Sequence, residues 1–76
     1  MNKKLTDLEK EYLQYIENYI KVKGYPPSIR DISKNMYVST ATAHRHLTTL
    51  VDKGYLRYTP RISRSYTPEK GYKGSA

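Results

Sequence analysis

The 76-residue sequence contains no cysteine, no tryptophan and no phenylalanine. Without cysteine, disulfides and thiolate metal sites are excluded. All nine aromatic residues are tyrosines, so large core positions must carry a hydroxyl that reaches water or a hydrogen-bond acceptor. A chain of this length buries only about 60% of its unfolded surface. We therefore expect one small domain with a core of mixed polarity.

Long apolar runs are also missing. No stretch approaches the roughly 20 apolar residues of a membrane span, and the N-terminus carries no apolar segment of the kind found in signal peptides. These absences predict an intracellular protein without membrane contact.

Acidic residues are scarce in the second half of the sequence. Residues 1–38 hold seven basic and five acidic side chains, whereas residues 39–76 hold seven basic and only two acidic ones. The halves therefore carry +2 and +5 of the formal net charge of +7. Between the two late acids, Asp52 and Glu69, lie only basic charges: Lys53, Arg57, Arg61 and Arg64. This distribution is typical of a surface that meets a polyanion.

Helix signals begin at Thr6. Thr6 and Glu9 have the spacing of a capping box, and Gly24 lies where a left-handed C-cap belongs. Between them, apolar residues recur at the spacing of one broad helical stripe, which we interpret as core: Leu8, Tyr12, Leu13, Tyr15, Ile16, Tyr19, Ile20 and Val22.

A short second helix follows. Pro26 and Pro27 cannot continue the first helix, Ser28 is a suitable N-cap, and Asp31 in the first turn complements the helix dipole. We predict about two turns that end near Met36.

Tyr37 and Val38 form the predicted connection to a third helix, which Ser39 caps and which ends near Lys53 and Gly54. Two helices joined by such a short turn are typical of a helix-turn-helix motif.

The third helix has two different faces. Leu47, Leu50 and Val51 lie on one side at about 100° per residue. The opposite side is small and rich in hydroxyls: Ala41, Thr42, Arg45, Thr48 and Thr49. An ordinary solvated face carries lysine and glutamate instead. Small side chains permit close approach, and Thr, Ser and Arg donate to phosphates and base edges. This pattern predicts a DNA-recognition helix.

A β-hairpin is predicted after it. Residues 55–59 alternate as a strand that Pro60 stops, and residues 65–67 form a returning strand before Pro68. Arg61 and Arg64 then lie at or beside the tip. The predicted fold class is mainly α with a small β-hairpin, a three-helix winged helix-turn-helix.

The predicted organisation has three parts: a loose arm at residues 1–5, the folded domain at residues 6–68, and a disordered tail at residues 69–76, which is rich in Gly and Lys.

Metal and catalytic chemistry are not predicted. His44 and His46 diverge by about 200° on a helix, so they do not form a metal site. Ser39, His44 and Asp52 are too far apart along one helix for a catalytic triad. We therefore expect no cofactor, no small-molecule substrate and no enzyme activity, and we interpret His46 as a structural residue at the core edge.

From about Leu5 to Thr67 the sequence resembles the N-terminal winged-helix DNA-binding domain of the LexA repressor family. The matching features are Leu5-Thr6, the turn from Gly24 to Ser28, Ser39, His46-Leu47, Leu50, Lys53-Gly54 and Ser63-Arg64. In two respects the sequence departs from the family. The turn before the third helix is one residue shorter, and His44 and Arg45 stand where the repressor has acids.

The resemblance implies base contacts by Ser39, Ala41, Thr42, His44 and Arg45, with Arg64 meeting phosphate or the minor groove. Together with the helix face and the hairpin tip, the predicted DNA-binding residues are Ser39, Thr40, Ala41, Thr42, His44, Arg45, Thr49, Arg61 and Arg64.

The predicted function is that of a sequence-specific double-stranded DNA-binding regulator, a repressor that occupies promoters. A chain of this length has no room for the self-cleaving domain of LexA, so we expect a stand-alone cytoplasmic regulator, from a phage or another mobile element, in a bacterial cell or phage-infected host. We also expect two copies to bind one two-fold operator. The alternative is a protein-interaction module, with Tyr25 and Tyr37 as candidate contacts. RNA binding is a weaker option because no aromatic stacking platform is evident.

Overall fold

Three helices precede a two-stranded hairpin in the computed structural model, which describes residues 4–62 and 64–69. The elements are α1 (Asp7–Lys23), α2 (Ile29–Met36), α3 (Thr40–Asp52), β1 (Leu56–Arg57) and β2 (Thr67–Pro68). The strands pair antiparallel, with Leu56 opposite Pro68 and Arg57 opposite Thr67. The predicted fold class is therefore confirmed.

Local sequence signals determine where α1 begins and ends. The Thr6 side chain accepts from the Glu9 backbone N–H at 3.1 Å, and the Glu9 carboxylate accepts from the Thr6 N–H at 3.0 Å. Gly24 closes the helix at φ 86°, a left-handed conformation that glycine adopts without steric cost. The predicted capping box and C-cap are both confirmed.

The helix-turn-helix pair has the predicted bounds. Ser28 caps α2 and forms a capping box with Asp31, while Ser39 caps α3 by accepting from the Thr42 N–H. Three residues, 37–39, connect the helices. Tyr37 ends α2 at φ 59°, an uncommon conformation for a residue with a bulky side chain.

The core lies where all three helices and the hairpin meet. Its buried apolar residues are Tyr12, Leu13, Ile16, Ile32, Ala43, Leu47, Leu50, Leu56 and Tyr66. The predicted stripe on α1 is wrong at its two ends, because Leu8 is 43% and Val22 71% exposed. Leu8 points about 100° around the helix axis from the buried Glu9, and Val22 lies in the last turn, past Ile16, the last buried residue of α1.

One core tyrosine differs from the expectation for buried hydroxyls. Among the described residues, the buried Tyr12 hydroxyl has no hydrogen bond, so the expectation that large aromatic core residues reach water or an acceptor is wrong here. The Tyr12 ring packs 5.2 Å from the His46 ring, and burial of the Tyr12 side chain raises its pKa. His46 is half-buried at the core edge, as predicted.

The hairpin has shorter strands than predicted. Pairing spans two residues on each side, and the returning strand includes Pro68 instead of ending before it. A proline is tolerated there because both strands are edges. Beyond Arg57, the Ser65 hydroxyl accepts from the Thr59 N–H and donates to the Thr59 carbonyl. Hydrogen bonds of the Ser65 side chain therefore replace the expected backbone–backbone pairing at this point of the hairpin.

The segments at either end of the domain are only partly described. Residues 1–3 of the predicted arm and residues 70–76 of the predicted tail lie outside the described residues. Within the described part, Leu5 packs against the core, and the Glu69 N–H donates to the Tyr55 carbonyl at 2.9 Å. In that same part of the chain, no helix combines the length and apolar character needed to cross a membrane.

Candidate nucleic-acid interface

Helix α3 is anchored by one face and presents the other to solvent. Ala43, Leu47 and Leu50 are fully buried, and their periodicity fixes the rotation of the helix about its axis. The opposite face is exposed at Ser39, Thr40, Ala41, His44, Arg45 and Thr48, whereas Thr42 and Thr49 are half-buried. The predicted hydroxyl-lined face is thus accessible, with Arg45 as its only charge before Asp52.

Some of the hydroxyls on this face already have structural partners. Ser39 Oγ accepts from the Thr42 N–H and donates to Thr42 Oγ1, both at 3.1 Å. Thr49 Oγ1 donates to the Arg45 carbonyl at 3.1 Å. Ser39 therefore stabilises the start of α3, and the Thr49 hydroxyl is satisfied by its own helix, so a ligand contact by either residue is an additional role.

The first turn of α3 differs from those of the other two helices. Asp7 and Glu9 lie in the first turn of α1 and Asp31 in that of α2, but the first turn of α3 contains no acid. The positive end of the α3 dipole is therefore not compensated by a carboxylate. Such an end favours an approaching anion.

The two arginines of the hairpin loop are placed differently. Arg61 is exposed at the tip with φ 70°, and Arg64 lies beside the tip with φ 56°. Arg64 turns back toward the helices, where Nη1 lies 3.1 Å from Asp31 Oδ2. The structure thus brings Arg61 to the solvent side and Arg64 to a carboxylate of α2.

The environment of Asp31 escaped the sequence analysis, which assigned this residue only to the helix dipole. The Asp31 carboxylate accepts from the Ser28 N–H, from the Tyr19 hydroxyl and from Arg64. Hydrogen bonds from Ser28 and Tyr19, together with the Arg64 charge, hold the Asp31 pKa below its ordinary value against the opposing effect of burial. The capping partner Ser28 is local, but no local spacing in the sequence connects Asp31 with Tyr19 or Arg64.

A second ion pair joins the far end of α3 to α1. Lys53 Nζ lies 2.7 Å from Glu9 Oε1, and it also donates to the Lys4 carbonyl at 3.0 Å. Burial alone raises the pKa of Glu9, but the hydrogen bonds from Lys53 and Thr6 and the Lys53 charge outweigh it and lower the pKa. Lys53 therefore belongs to the fold and not to the predicted cationic surface.

Metal ligands are not grouped anywhere in the part of the chain that the structure describes, where no set of three histidines, cysteines or acids could hold an ion. His44 is exposed and His46 half-buried.

A short-turn helix pair, a second helix with an exposed hydroxyl-rich face and a basic hairpin beside it define a winged helix-turn-helix domain. The sequence belongs to the LexA DNA binding domain family, whose sequence profile matches residues 2–65. The resemblance noted from the sequence is thereby confirmed.

Individual relatives agree with this assignment. The chain is 46% identical over 63 residues to the LexA repressor of Thermosipho melanesiensis, covering 83% of this chain and 32% of that protein. It is 46% identical over 66 residues to the LexA repressor of Caldicellulosiruptor saccharolyticus, covering 86% and 33%. With the LexA repressor of Staphylococcus aureus strain N315 it shares 39% identity over 64 residues, covering 83% and 31%. The chain thus spans about a third of the length of these curated relatives.

Proposed function

We propose that the domain binds double-stranded DNA in a sequence-specific manner and represses transcription by occupying promoters. The observation that carries this proposal is the exposed, hydroxyl-lined face of α3, which begins at a helix end free of acids and carries Arg45. The curated relatives named above are LexA repressors, which supports the same role. Because genomic DNA is the proposed ligand, the domain would act in the bacterial cytoplasm.

Major-groove recognition fits the side chains that α3 exposes. A B-DNA major groove admits one helix, and an arginine on it bonds the O6 and N7 acceptors of guanine with two donors. We assign this contact to Arg45. The other proposed α3 contacts to bases or phosphates are Ser39, Thr40, Ala41, Thr42, His44 and Thr49.

The β1–β2 hairpin, which forms the wing, supplies the proposed contacts to the DNA phosphates. Arg61 is exposed at the loop tip and is free to meet a phosphate. Arg64 belongs to the same predicted set, but its Nη1 atom already bonds Asp31, so a phosphate contact by Arg64 would have to use its remaining nitrogens or break that pair.

The test begins with selection of bound fragments from a random duplex pool, followed by titration of the selected duplex. We expect Arg45→Ala to weaken binding by about 1 to 3 kcal/mol and to relax discrimination at one base pair. If about four phosphates are neutralised, log affinity should fall with log salt at a slope of about −3.6.

Lys10→Ala is the matched control for Arg45→Ala. Lys10 is exposed on α1 and follows Glu9, which contacts Lys53 at the end of α3 opposite Ser39. The control removes the same charge far from the proposed contact, so it should change affinity little and leave base preference intact. A pool without enrichment, or equal losses for both variants, would contradict the proposal.

We further propose that two copies bind one two-fold site. A single module of this size buries only about 600 to 1,000 Å² on DNA, which gives weak binding by one copy. Sedimentation of the protein with the selected duplex should reveal a two-to-one complex. A one-to-one complex of nanomolar affinity would refute this stoichiometry.

One observation favours the alternative function as a protein-interaction module. Tyr37 is 94% exposed and borders a groove between α1 and α2 that Leu8, Tyr15 and Met36 also line. Chemical-shift mapping separates the two functions: added duplex should perturb α3 and the wing if DNA is the ligand. Perturbations confined to α1 and the tyrosines would favour a protein partner instead.

A further inference from the structure

We infer that Arg64 is a positioning residue that fixes the wing to the start of α2. Arg61, and not Arg64, then makes the contact between the wing and the DNA phosphates. This inference rests on the proposed function, since it concerns how the same surface binds DNA. Arg64 thereby receives a different role from the one predicted from the sequence, which was direct contact with DNA.

One nitrogen of the Arg64 guanidinium, Nη1, bonds three groups elsewhere in the protein. Nη1 donates to the Tyr19 hydroxyl at 3.1 Å, to the Pro26 carbonyl at 3.3 Å and to Asp31 Oδ2 at 3.1 Å. We call this group of contacts the wing latch. It joins the hairpin loop to α1, to the turn after α1 and to α2.

Aromatic rings also border the latch. The guanidinium carbon of Arg64 lies 5.1 Å from the centre of the Tyr25 ring, within the range of a cation–π interaction. Tyr19 contacts Tyr25 edge-on at 5.9 Å and Tyr15 at 5.8 Å. The partly exposed arginine therefore lies against a set of polar atoms and a ring face, contacts that lysine, lacking a planar group, would not reproduce equally well.

The hairpin needs such an attachment because its own pairing is short. Leu56 and Tyr66 anchor its base in the core, and the strands then pair over only two residues each. Residues 60–62 of the loop are exposed. Arg64 is the described loop residue whose side chain reaches α2, so it limits how the tip, and with it Arg61, is oriented.

Electrostatics supports the same assignment. Within the latch, the positive charge of Arg64 is balanced by Asp31 at 3.1 Å, so the pair adds little net attraction for a polyanion. A phosphate that used Nη1 would have to displace a carboxylate held by several hydrogen bonds. Arg61 has no such requirement.

Asp31→Asn gives the sharpest test, because the two roles for Arg64 predict opposite signs. Removing a negative charge near DNA, and freeing Arg64, should strengthen binding if Arg64 contacts phosphate. If Arg64 positions the wing, Asp31→Asn should instead weaken binding to the selected duplex, by about two- to fivefold for the loss of a partly exposed ion pair.

Arg64→Gln provides the second measurement. We expect a similar loss of affinity with an unchanged salt slope, and the double variant should be no weaker than either single variant because both break one latch. A decrease of about 0.9 in the magnitude of the salt slope, or additive losses in the double variant, would overturn the inference.

Two controls separate the latch from the cap that Asp31 also provides. Tyr19→Phe removes a latch hydroxyl while keeping every charge and the α2 capping box, and it should weaken binding in the same direction. Ser28→Ala removes the Ser28 hydroxyl from the box but leaves the Arg64–Asp31 pair, so it should leave affinity per folded molecule unchanged. Urea unfolding gives the folded fraction of each variant.

A readout without DNA keeps the inference testable by itself. In the free protein, ¹⁵N relaxation should show greater fast motion of residues 60–62 in Arg64→Gln than in the parent chain. If the parent binds no selected duplex, the proposed function fails. If the parent binds and Arg45→Ala weakens it, while the latch variants change neither loop motion nor affinity, this inference alone fails.

Discussion

The same arrangement, a capping box whose acid also forms an ion pair, occurs at the start of α1 and at the start of α2. In each, the capping-box acid forms an ion pair with a basic residue later in the chain: Glu9 pairs with Lys53, and Asp31 pairs with Arg64. The two sites differ in burial. Side-chain exposure is 22% for Lys53 and 7% for Glu9, against 41% for Arg64 and 31% for Asp31.

The difference in burial separates a stabilising role from an orienting one. A pair shielded from water interacts strongly, and loss of one partner leaves a costly unpaired charge. A pair with much of its surface in water contributes little to the free energy of unfolding. The Glu9–Lys53 pair therefore holds the helices together, whereas the Asp31–Arg64 pair sets the position of the wing.

Lys53→Met should have the largest effect on stability. It leaves the Glu9 carboxylate buried without its cation, so we expect a loss of about 2 to 3 kcal/mol, somewhat less than for a fully buried pair because Lys53 keeps part of its surface in water. Urea unfolding measures the change, with Lys10→Met as the control at an exposed position of α1, the helix that carries Glu9. A loss no larger than that of the control would remove the distinction between the two pairs.

Acidification should have the next largest effect. The pKa values of Glu9 and Asp31 are both lowered in the folded chain, so the unfolded chain binds more protons as the pH approaches the ordinary carboxyl range. The stability they contribute is present above that range and is lost as the pH falls below about 4.

Single substitutions measure how much each of the two acids contributes to the loss of stability at low pH. Glu9→Gln should flatten the dependence of the urea midpoint on pH more than Asp31→Asn does, because the Glu9 charge interacts with its partner in a more buried environment. Equal flattening by both would indicate that burial does not distinguish the pairs.

Arg64→Gln should have the smallest effect on stability. Its urea midpoint should shift far less than that of Lys53→Met, because water already screens the Arg64–Asp31 pair, while the motion of residues 60–62 increases. A midpoint shift as large as that of Lys53→Met would show that the latch holds the fold and not merely the wing.

Most of the local structure could be predicted from short sequence patterns. Thr6 with Glu9, Ser28 ahead of Asp31, and Gly24 act on backbone atoms within three or four residues, so their effects follow from spacing and residue type. The same holds for the exposed face of α3, since the positions of Leu47 and Leu50 fix which side turns outward. Membership of the LexA DNA binding domain family also followed from such local features.

The hairpin was less predictable because its pairing depends on side chains that meet across the turn. The register that pairs Arg57 with Thr67 follows from the bonds between Ser65 and Thr59 and the stacking of Tyr58 on Tyr66 at 4.5 Å. Alternation of residue types predicts a strand there, but it does not specify which residues face each other.

The sequence alone therefore determined the helices, their caps, the outward face of α3 and the excess of positive charge in the second half. The tertiary structure decided which charges remain available to a ligand. Lys53 and Arg64 lie 44 and 33 residues from the acids they bind, and no local pattern encodes a contact over that separation. Only the packing of α3 against α1, and of the hairpin against α2, brings these groups together, which leaves Arg45 and Arg61 directed toward solvent.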